Sequence, residues 1–204
     1  PLDILMALTV MRLAAFGEMK EGVKKQFAIF KDKHTWSLTA LYIVTFGSFI
    51  GFSMALPLSM KVIFGVSHLP DANGVMQHTL NNPNAPTILA YAWIGAAVRP
   101  LGGWISDKVG GSIVTQVITA VMALAAVAVG YVMMLAYGSA TPEQYFPMFL
   151  GLFMVLFFAS GIGNGSTFRT IGVIFDRAQA GPVLGWTSAV AAYGAFIAPV
   201  LIGQ

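Results

Sequence analysis

Charged side chains are scarce in this 204-residue chain, and cysteine is absent. Asp, Glu, Lys and Arg make up 9% of the sequence, against about 25% in an ordinary soluble domain. Too few charges remain to cover a surface that faces water. The lack of cysteine excludes a disulfide framework and any cysteine-ligated metal site within this sequence.

Apolar residues are abundant instead, at 57% of the chain, and they are gathered into long runs. Each run reaches the roughly twenty residues that a helix needs to cross a bilayer. Five transmembrane helices are therefore predicted, at 36–64, 86–106, 112–137, 147–174 and 183–203. The fold class that follows is an all-α membrane protein, with a leader at 1–33, a membrane bundle at 34–204 and the lipid bilayer as its surroundings.

The positions of Lys and Arg predict which side of the membrane each connection occupies. The leader is rich in lysine, Lys108 lies between the second and third spans, and Arg177 lies between the fourth and fifth. The segments 65–86 and 138–145 contain neither Lys nor Arg. The positive-inside rule therefore places the leader in the cytoplasm, as an amphipathic helix at the membrane surface, and makes the two segments external loops.

One arginine, Arg99 in the second span, lies deep inside an apolar run. An arginine at mid-bilayer costs about 2.5–3.5 kcal/mol on the gentler insertion scale, so it should face protein, water or a counter-charge. The spans hold no Asp or Glu at its depth, so a bound anion is a natural partner, and the planar guanidinium suits a flat oxyanion. Two alternatives stay open: Arg99 could reach the cytoplasmic headgroups, or it could pair with a carboxylate outside this chain.

Pro100 and Arg169 are each explained by helix structure without a bound ion. Pro100 follows Arg99 directly and is expected to bend the helix there. Arg169, in the fourth span, lies closer to the cytoplasmic end, where snorkelling or a structural ion pair is the stronger interpretation.

The fourth span contains three alternating glycines, Gly161, Gly163 and Gly165, interleaved with polar residues. No Lys follows the glycines and no strand precedes them, so a phosphate loop is disfavoured. Small residues at such spacing let helices approach closely, as could Gly181 and Gly185 in the fifth span. Plain helix packing and the lining of an anion path are both open interpretations.

The connection between the second and third spans, GWISDKVGG at 103–111, resembles a known loop motif. It is similar to the G-x-x-x-D-[RK]-x-G motif of the major facilitator superfamily, which lies in a cytoplasmic loop after the second helix of each half. Gly103, Asp107, Lys108 and Gly110 match the motif positions. The topology read from Lys and Arg independently puts this connection in the cytoplasm.

Two further segments resemble the nitrate/nitrite porter family of that superfamily. Residues 163–175 look like its nitrate signature, and His34-Thr-Trp together with residues 41–52 looks like its seventh helix. The resemblance implies that the chain is a partial C-terminal six-helix half, with helices seven to eleven of twelve. We then expect the N-terminal half and the last helix to be the partners that complete the transporter.

The resemblance also implies a set of substrate-binding residues. They comprise the arginine of helix eight, an aromatic pair on helix seven that is expected to sandwich a planar ion, and groups of the signature: Arg99, Tyr42, Phe46, Gly163, Asn164, Gly165 and Ser166. The implied function is transport of nitrate or nitrite by alternating access in a prokaryotic cytoplasmic membrane, with no cofactor and no metal. Nitrate/nitrite exchange and proton-coupled uptake both stay open.

Three other functions compete with this one. A non-transporting membrane subunit or receptor on the same fold, and a facilitator for another small anion, remain alternatives. An intramembrane enzyme is disfavoured, because the three histidines, His34, His68 and His78, are predicted to lie at the inner face or in an external loop and cannot form an intramembrane cluster.

Overall fold

The computed structural model describes residues 26–80, 82, 85 and 93–202, which form a bundle of helices and one hairpin. In chain order the elements are α1 (Lys33–Phe64), β1 (Val66–Pro70), β2 (Met76–Leu80), α2 (Trp93–Ala97), α3 (Arg99–Val109), α4 (Gly111–Tyr137), α5 (Phe146–Ile174) and α6 (Arg177–Ile202). Short 3-10 turns, Ala28–Lys31 and Pro142–Tyr145, precede α1 and α5. Most of the predicted leader, and residues 86–92 of the second predicted span, lie outside the described residues.

Three helices in the described part of the chain are long and apolar enough to cross a membrane: Lys33–Phe64, Gly111–Tyr137 and Pro142–Ile174. They coincide with the first, third and fourth apolar runs. Helix α6 covers the fifth run, and its crossing of the membrane stays a prediction. The chain is thus an α-helical membrane protein.

Helix α1 is continuous but not uniform. It contains two π-helical turns, Ile43–Gly47 and Met60–Phe64, between stretches of ordinary α-helix. The second turn follows Pro57, which has no N–H to donate and therefore disturbs the regular bonding pattern. A π turn contains an extra residue, so the side chains on its two sides no longer follow the 3.6-residue period.

The second predicted span is not one uninterrupted helix in its described part. The helix breaks at Val98, between α2 and α3, and the amides of Leu101 and Gly102 both donate to the Val98 carbonyl, at 3.0 and 3.3 Å. Pro100 lies at the second position of α3, where a missing N–H costs little. The expected bend at Arg99 thus appears as an interruption one residue earlier.

The predicted external loop at 65–86 contains a β-hairpin that the sequence analysis missed. Strands β1 and β2 pair antiparallel, with Val66 opposite Leu80 and His68 opposite His78. The turn is closed by the Asp71 carboxylate, which accepts hydrogen bonds from the amides of Asn73 and Val75 at 2.8 and 3.0 Å. Its sharp reversal uses a positive φ of 79° at Gly74, where glycine has no Cβ to clash.

Two clusters of buried side chains hold the helices together. The larger lies between α1, α4 and α5 and is built around Phe64, Phe149, Phe153 and Phe157. The smaller joins the segment before α1 and the start of α1 to the end of α5, the residue after it and α6, and comprises Ile29, Leu38, Ile171, Phe175 and Val183. Because lipid is as apolar as these side chains, close packing and hydrogen bonds stabilise such a bundle more than the exclusion of water does.

Candidate functional site

Five aromatic rings from α1 and α5 form a row, called here the aromatic ladder: Phe168, Tyr42, Phe46, Phe49 and Phe157. Tyr42 stacks on Phe46 at 5.0 Å between ring centroids and on Phe168 at 4.9 Å. Phe46 and Phe49 are nearly parallel, 6.5 Å apart, and Phe157 meets Phe49 edge-on at 5.9 Å. The ladder therefore follows α1 over two turns and binds it to α5.

The predicted sandwich of an ion between Tyr42 and Phe46 is wrong. Their rings lie 5.0 Å apart with an interplanar angle of 10°, so they stack directly on each other. A planar ion between two parallel rings would need about 7 Å, twice the contact distance of two carbon layers. An anion can therefore contact only an outer face or an edge of this pair.

Arg99 lies over the ladder. Its Cζ is 5.4 Å from the ring centroid of Phe46 and 5.5 Å from that of Phe49. The Arg99 Nε is buried, and no residue that the structure describes accepts a hydrogen bond from it. Within the same residues no carboxylate lies within ion-pair distance of Arg99, and Asp107 is occupied by Arg169. A guanidinium held against π faces thus keeps donors available for an oxyanion.

Asn164 lies on the same helix as two rings of the ladder, Phe157 and Phe168. It lies one turn before Phe168 and two turns after Phe157, so all three share a helix face. Its side chain is fully buried, and neither its amide oxygen nor its amide nitrogen has a partner among the described residues. A buried amide without a partner is costly, so Asn164, like Arg99, is a polar group that can form hydrogen bonds with a ligand.

Four glycines bring α2 and α3 into backbone contact with α5. A Cβ at Gly165 would stand 1.8 Å from the Arg99 carbonyl oxygen, and one at Gly161 would stand 2.2 Å from the Gly95 carbonyl oxygen. A Cβ at Gly102 would stand 2.1 Å from the Ile162 carbonyl oxygen. These positions, Gly95, Gly102, Gly161 and Gly165, form a glycine seam that fixes the backbone at Arg99.

The remaining predicted glycines behave differently. A Cβ at Gly163 would meet the Thr45 side chain at 2.6 Å, on another face of α5, so Gly163 packs against α1 rather than beside Arg99. Gly181 and Gly185 have no described atom within 4 Å of an added Cβ. Close packing therefore accounts for Gly161, Gly163 and Gly165, but not for the pair in α6.

The Ser166 side chain is directed to α4 and not to Arg99. Its hydroxyl donates to the Gly111 carbonyl at 3.0 Å and lies 3.1 Å from the Thr115 hydroxyl, both on α4. The structure therefore brings together three of the predicted binding residues, namely Arg99, Tyr42 and Phe46. Gly165 belongs with them through its contact with the Arg99 backbone. Asn164 lies on the α5 face that carries two rings of the ladder.

The loop-motif residues lie together at the end of α3. Asp107 forms an ion pair with Arg169 of α5, and both side chains are 49% exposed. Lys108 places its Nζ 3.9 Å from the ring centroid of Trp104. Gly110 joins α3 to α4 with a φ of 96°, a conformation that favours glycine. Of the two interpretations given for Arg169, snorkelling or a structural ion pair, the structure shows the ion pair.

Sequence reasoning missed Phe49, Phe157, Phe168 and Gly95. A signal for Phe49 was available, because it lies three residues after Phe46 and so falls near the same helix face. No comparable signal existed for Gly95, whose role depends on which helix packs against it.

A helical membrane bundle with a partly buried arginine held against aromatic rings is the class of membrane protein that this fold and this site define. No family model matches the chain. The chain is 42% identical to the probable nitrate/nitrite antiporter NarK2 of Thermus thermophilus over 88% of its own length and 37% of the relative. It is 34% identical to the nitrate/nitrite transporter NarU of Salmonella typhimurium, over 96% of this chain and 44% of that protein. It is 25% identical to the nitrite extrusion protein of Bacillus subtilis, over 98% of this chain and 46% of that protein.

The chain belongs to the nitrate/nitrite porter family of the major facilitator superfamily, which confirms the resemblance seen in its motifs. It spans less than half the length of these curated relatives. That share agrees with a chain that supplies part of one half of the fold.

Proposed function

We propose that the transporter containing this chain carries nitrate and nitrite across the bacterial cytoplasmic membrane by alternating access. The observation that carries the proposal is Arg99, whose buried Nε lacks a described partner and whose guanidinium lies over Phe46 and Phe49. The names of the relatives, which are nitrate/nitrite antiporters and transporters, support the same substrates.

In this mechanism each polar group has a distinct task. The guanidinium of Arg99 donates paired hydrogen bonds to two oxygens of the planar anion, which a point charge such as ammonium cannot do. The Asn164 amide nitrogen donates to the anion from the α5 side. The Tyr42 hydroxyl, which hydrogen-bonds with Ser188 of α6, contributes from within the ladder. These donors replace the water that the anion loses on entering the membrane.

Exchange of nitrate for nitrite is the coupling that we favour. The spans hold no Asp or Glu at the depth of Arg99, so this chain offers no deep carboxylate to carry a proton. The name of the Thermus relative, a probable antiporter, points the same way. The rest of the transporter is the partner that would close the site from the opposite side.

The test is anion exchange in proteoliposomes that contain the intact transporter. We expect labelled nitrate to exchange against internal nitrite, and Arg99→Lys to reduce exchange at least about tenfold because it keeps the charge but loses the fork. Arg169→Lys is the matched control: its half-exposed ion pair tolerates an ammonium, so exchange should stay near the wild-type rate.

Each contrary outcome points to a specific alternative. Wild-type exchange by Arg99→Lys would remove Arg99 from the binding site. Movement of some other small anion, but not of nitrate or nitrite, would identify a facilitator for that anion. No anion movement in a well-folded intact protein would favour a non-transporting membrane subunit.

A further inference from the structure

We propose that Phe49 is a positioning residue that holds the guanidinium of Arg99 for anion binding, and that Gly95 provides the space in which its ring lies. The proposal rests on the transport function proposed above. It concerns a ring that neither the motif resemblance nor the names of the relatives assign to the site.

The guanidinium lies over two neighbouring rings of α1. Arg99 Cζ is 5.4 Å from the centroid of Phe46 and 5.5 Å from that of Phe49, and these two rings differ by only 16° in orientation. Both distances fall within the roughly 6 Å range of a cation–π interaction, which strengthens where water is excluded. Phe46 alone would leave the long arginine side chain free to swing along the helix, whereas two rings define its position.

The Phe49 ring is itself held by two neighbours. Phe157 meets it edge-on, at an interplanar angle of 77°. Gly95 also lies against the ring: a Cβ there would stand 2.6 Å from the Phe49 ring and 2.8 Å from the Phe157 carbonyl oxygen. Real Cβ atoms do not approach so closely, so any larger residue at 95 must displace the ring or the backbone of α5.

Gly95 and Arg99 are one helical turn apart, across the break at Val98. Phe49 therefore contacts this turn twice, at the Gly95 backbone and at the Arg99 guanidinium. A single ring thus couples the position of the interrupted helix to the direction of its charged side chain. Loss of the ring should weaken anion binding while the transport cycle itself continues.

The test measures KM and kcat for nitrate exchange by the intact transporter in proteoliposomes. We expect Phe49→Leu to raise KM about tenfold, equivalent to about 1.4 kcal/mol, with kcat within about twofold of wild type. Phe49→Tyr keeps the ring and should keep the KM. Gly95→Ala should raise KM in the same direction because its Cβ displaces the ring.

Phe52→Leu is the matched control. Phe52 lies on the same helix and packs edge-on against Phe153 at 6.3 Å, away from Arg99, so its loss removes a comparable ring without touching the guanidinium. Phe49→Met, which also lacks a ring, replaces Phe49→Leu if that variant does not reach the membrane.

A second readout does not depend on transport: the rate at which phenylglyoxal modifies Arg99, measured by mass spectrometry of its peptide. Phe49→Leu should speed this modification severalfold, and Phe52→Leu should not. An unchanged KM and labelling rate in Phe49→Leu would overturn the proposal, as would an equal change in Phe52→Leu. If the wild-type protein exchanged no nitrate, the proposed function would fail, while the labelling would still decide whether Phe49 positions Arg99.

Discussion

Gly165 lies directly against the carbonyl oxygen of Arg99, so closely that an added Cβ would stand 1.8 Å away. The signature glycine on α5 and the arginine at the start of α3 are therefore one structural unit. The absence of a side chain at 165 determines how near α3 comes to α5. It therefore also determines the backbone position from which the Arg99 side chain extends.

Gly165→Ala should consequently impair both stability and transport. Its Cβ meets backbone, which cannot rotate away, and overpacking of this kind costs about 1–3 kcal/mol. Thermal unfolding in detergent and nitrate exchange measure the two effects. Gly172→Ala on the same helix is the control, because its Cβ has no described atom within 4 Å; it should be neutral or slightly stabilising. Equal unfolding temperatures and exchange rates in the two variants would contradict the role of the glycine seam in fixing the backbone at Arg99.

Asn164→Leu should separate stability from function. The buried amide has no described partner, so removing it relieves a desolvation penalty of about 1–3 kcal/mol. The melting temperature should rise while nitrate exchange is lost. Thr167→Val is the control: the Thr167 hydroxyl already donates to the Gly163 carbonyl at 2.9 Å, so no such gain is expected. A fall in melting temperature for Asn164→Leu would show that the amide is satisfied in the intact protein.

The Asp107–Arg169 ion pair should contribute little to stability. Because both side chains are 49% exposed, the pair should be worth less than about 1 kcal/mol and should weaken as salt is added. A double-mutant cycle with Asp107→Asn and Arg169→Gln measures the coupling at low and high ionic strength. A larger coupling that salt does not screen would show that the pair is buried in the intact transporter.

The hairpin turn should loosen in acid. Hydrogen bonds from the Val75 and Asn73 amides lower the pKa of Asp71 below its ordinary value. A lowered pKa in the folded state means stabilisation above the unfolded pKa of about 3.9, lost as pH falls through the lower folded value. Hydrogen exchange at Asn73 and Val75, corrected for intrinsic rates, should accelerate below about pH 4. Asp71→Asn keeps an acceptor oxygen without titrating, so its protection should not change with pH.

The sequence predicted the long helices well because run length alone determines them. The predicted ends 137 and 174 coincide with Tyr137 and Ile174, and the predicted starts 112 and 147 are one residue from Gly111 and Phe146. The hairpin was missed because its strands show no alternation of apolar and polar residues that would distinguish them from a loop.

The candidate site was predicted only in part, for a physical reason. Arg99 and Asn164 stand out because lipid makes an unpaired polar group costly at any position. The stacking of Tyr42 on Phe46 depends on local helix geometry, and the contact of Gly95 with Phe49 depends on how separate helices pack. Neither relationship can be read from spacing along the chain.

The π turn at Ile43–Gly47, placed between Tyr42 and Phe49, has a consequence for how this helix can vary in length. A π turn is an α turn with one residue added, and an α-helix advances about 100° per residue. Deleting one residue of α1 before the turn would rotate the rings of Phe46 and Phe49 away from Arg99, whereas a deletion within 43–47 would convert the wide turn into an ordinary one. Single-residue length differences among homologous seventh helices should therefore concentrate at this turn, which an alignment of relatives can check.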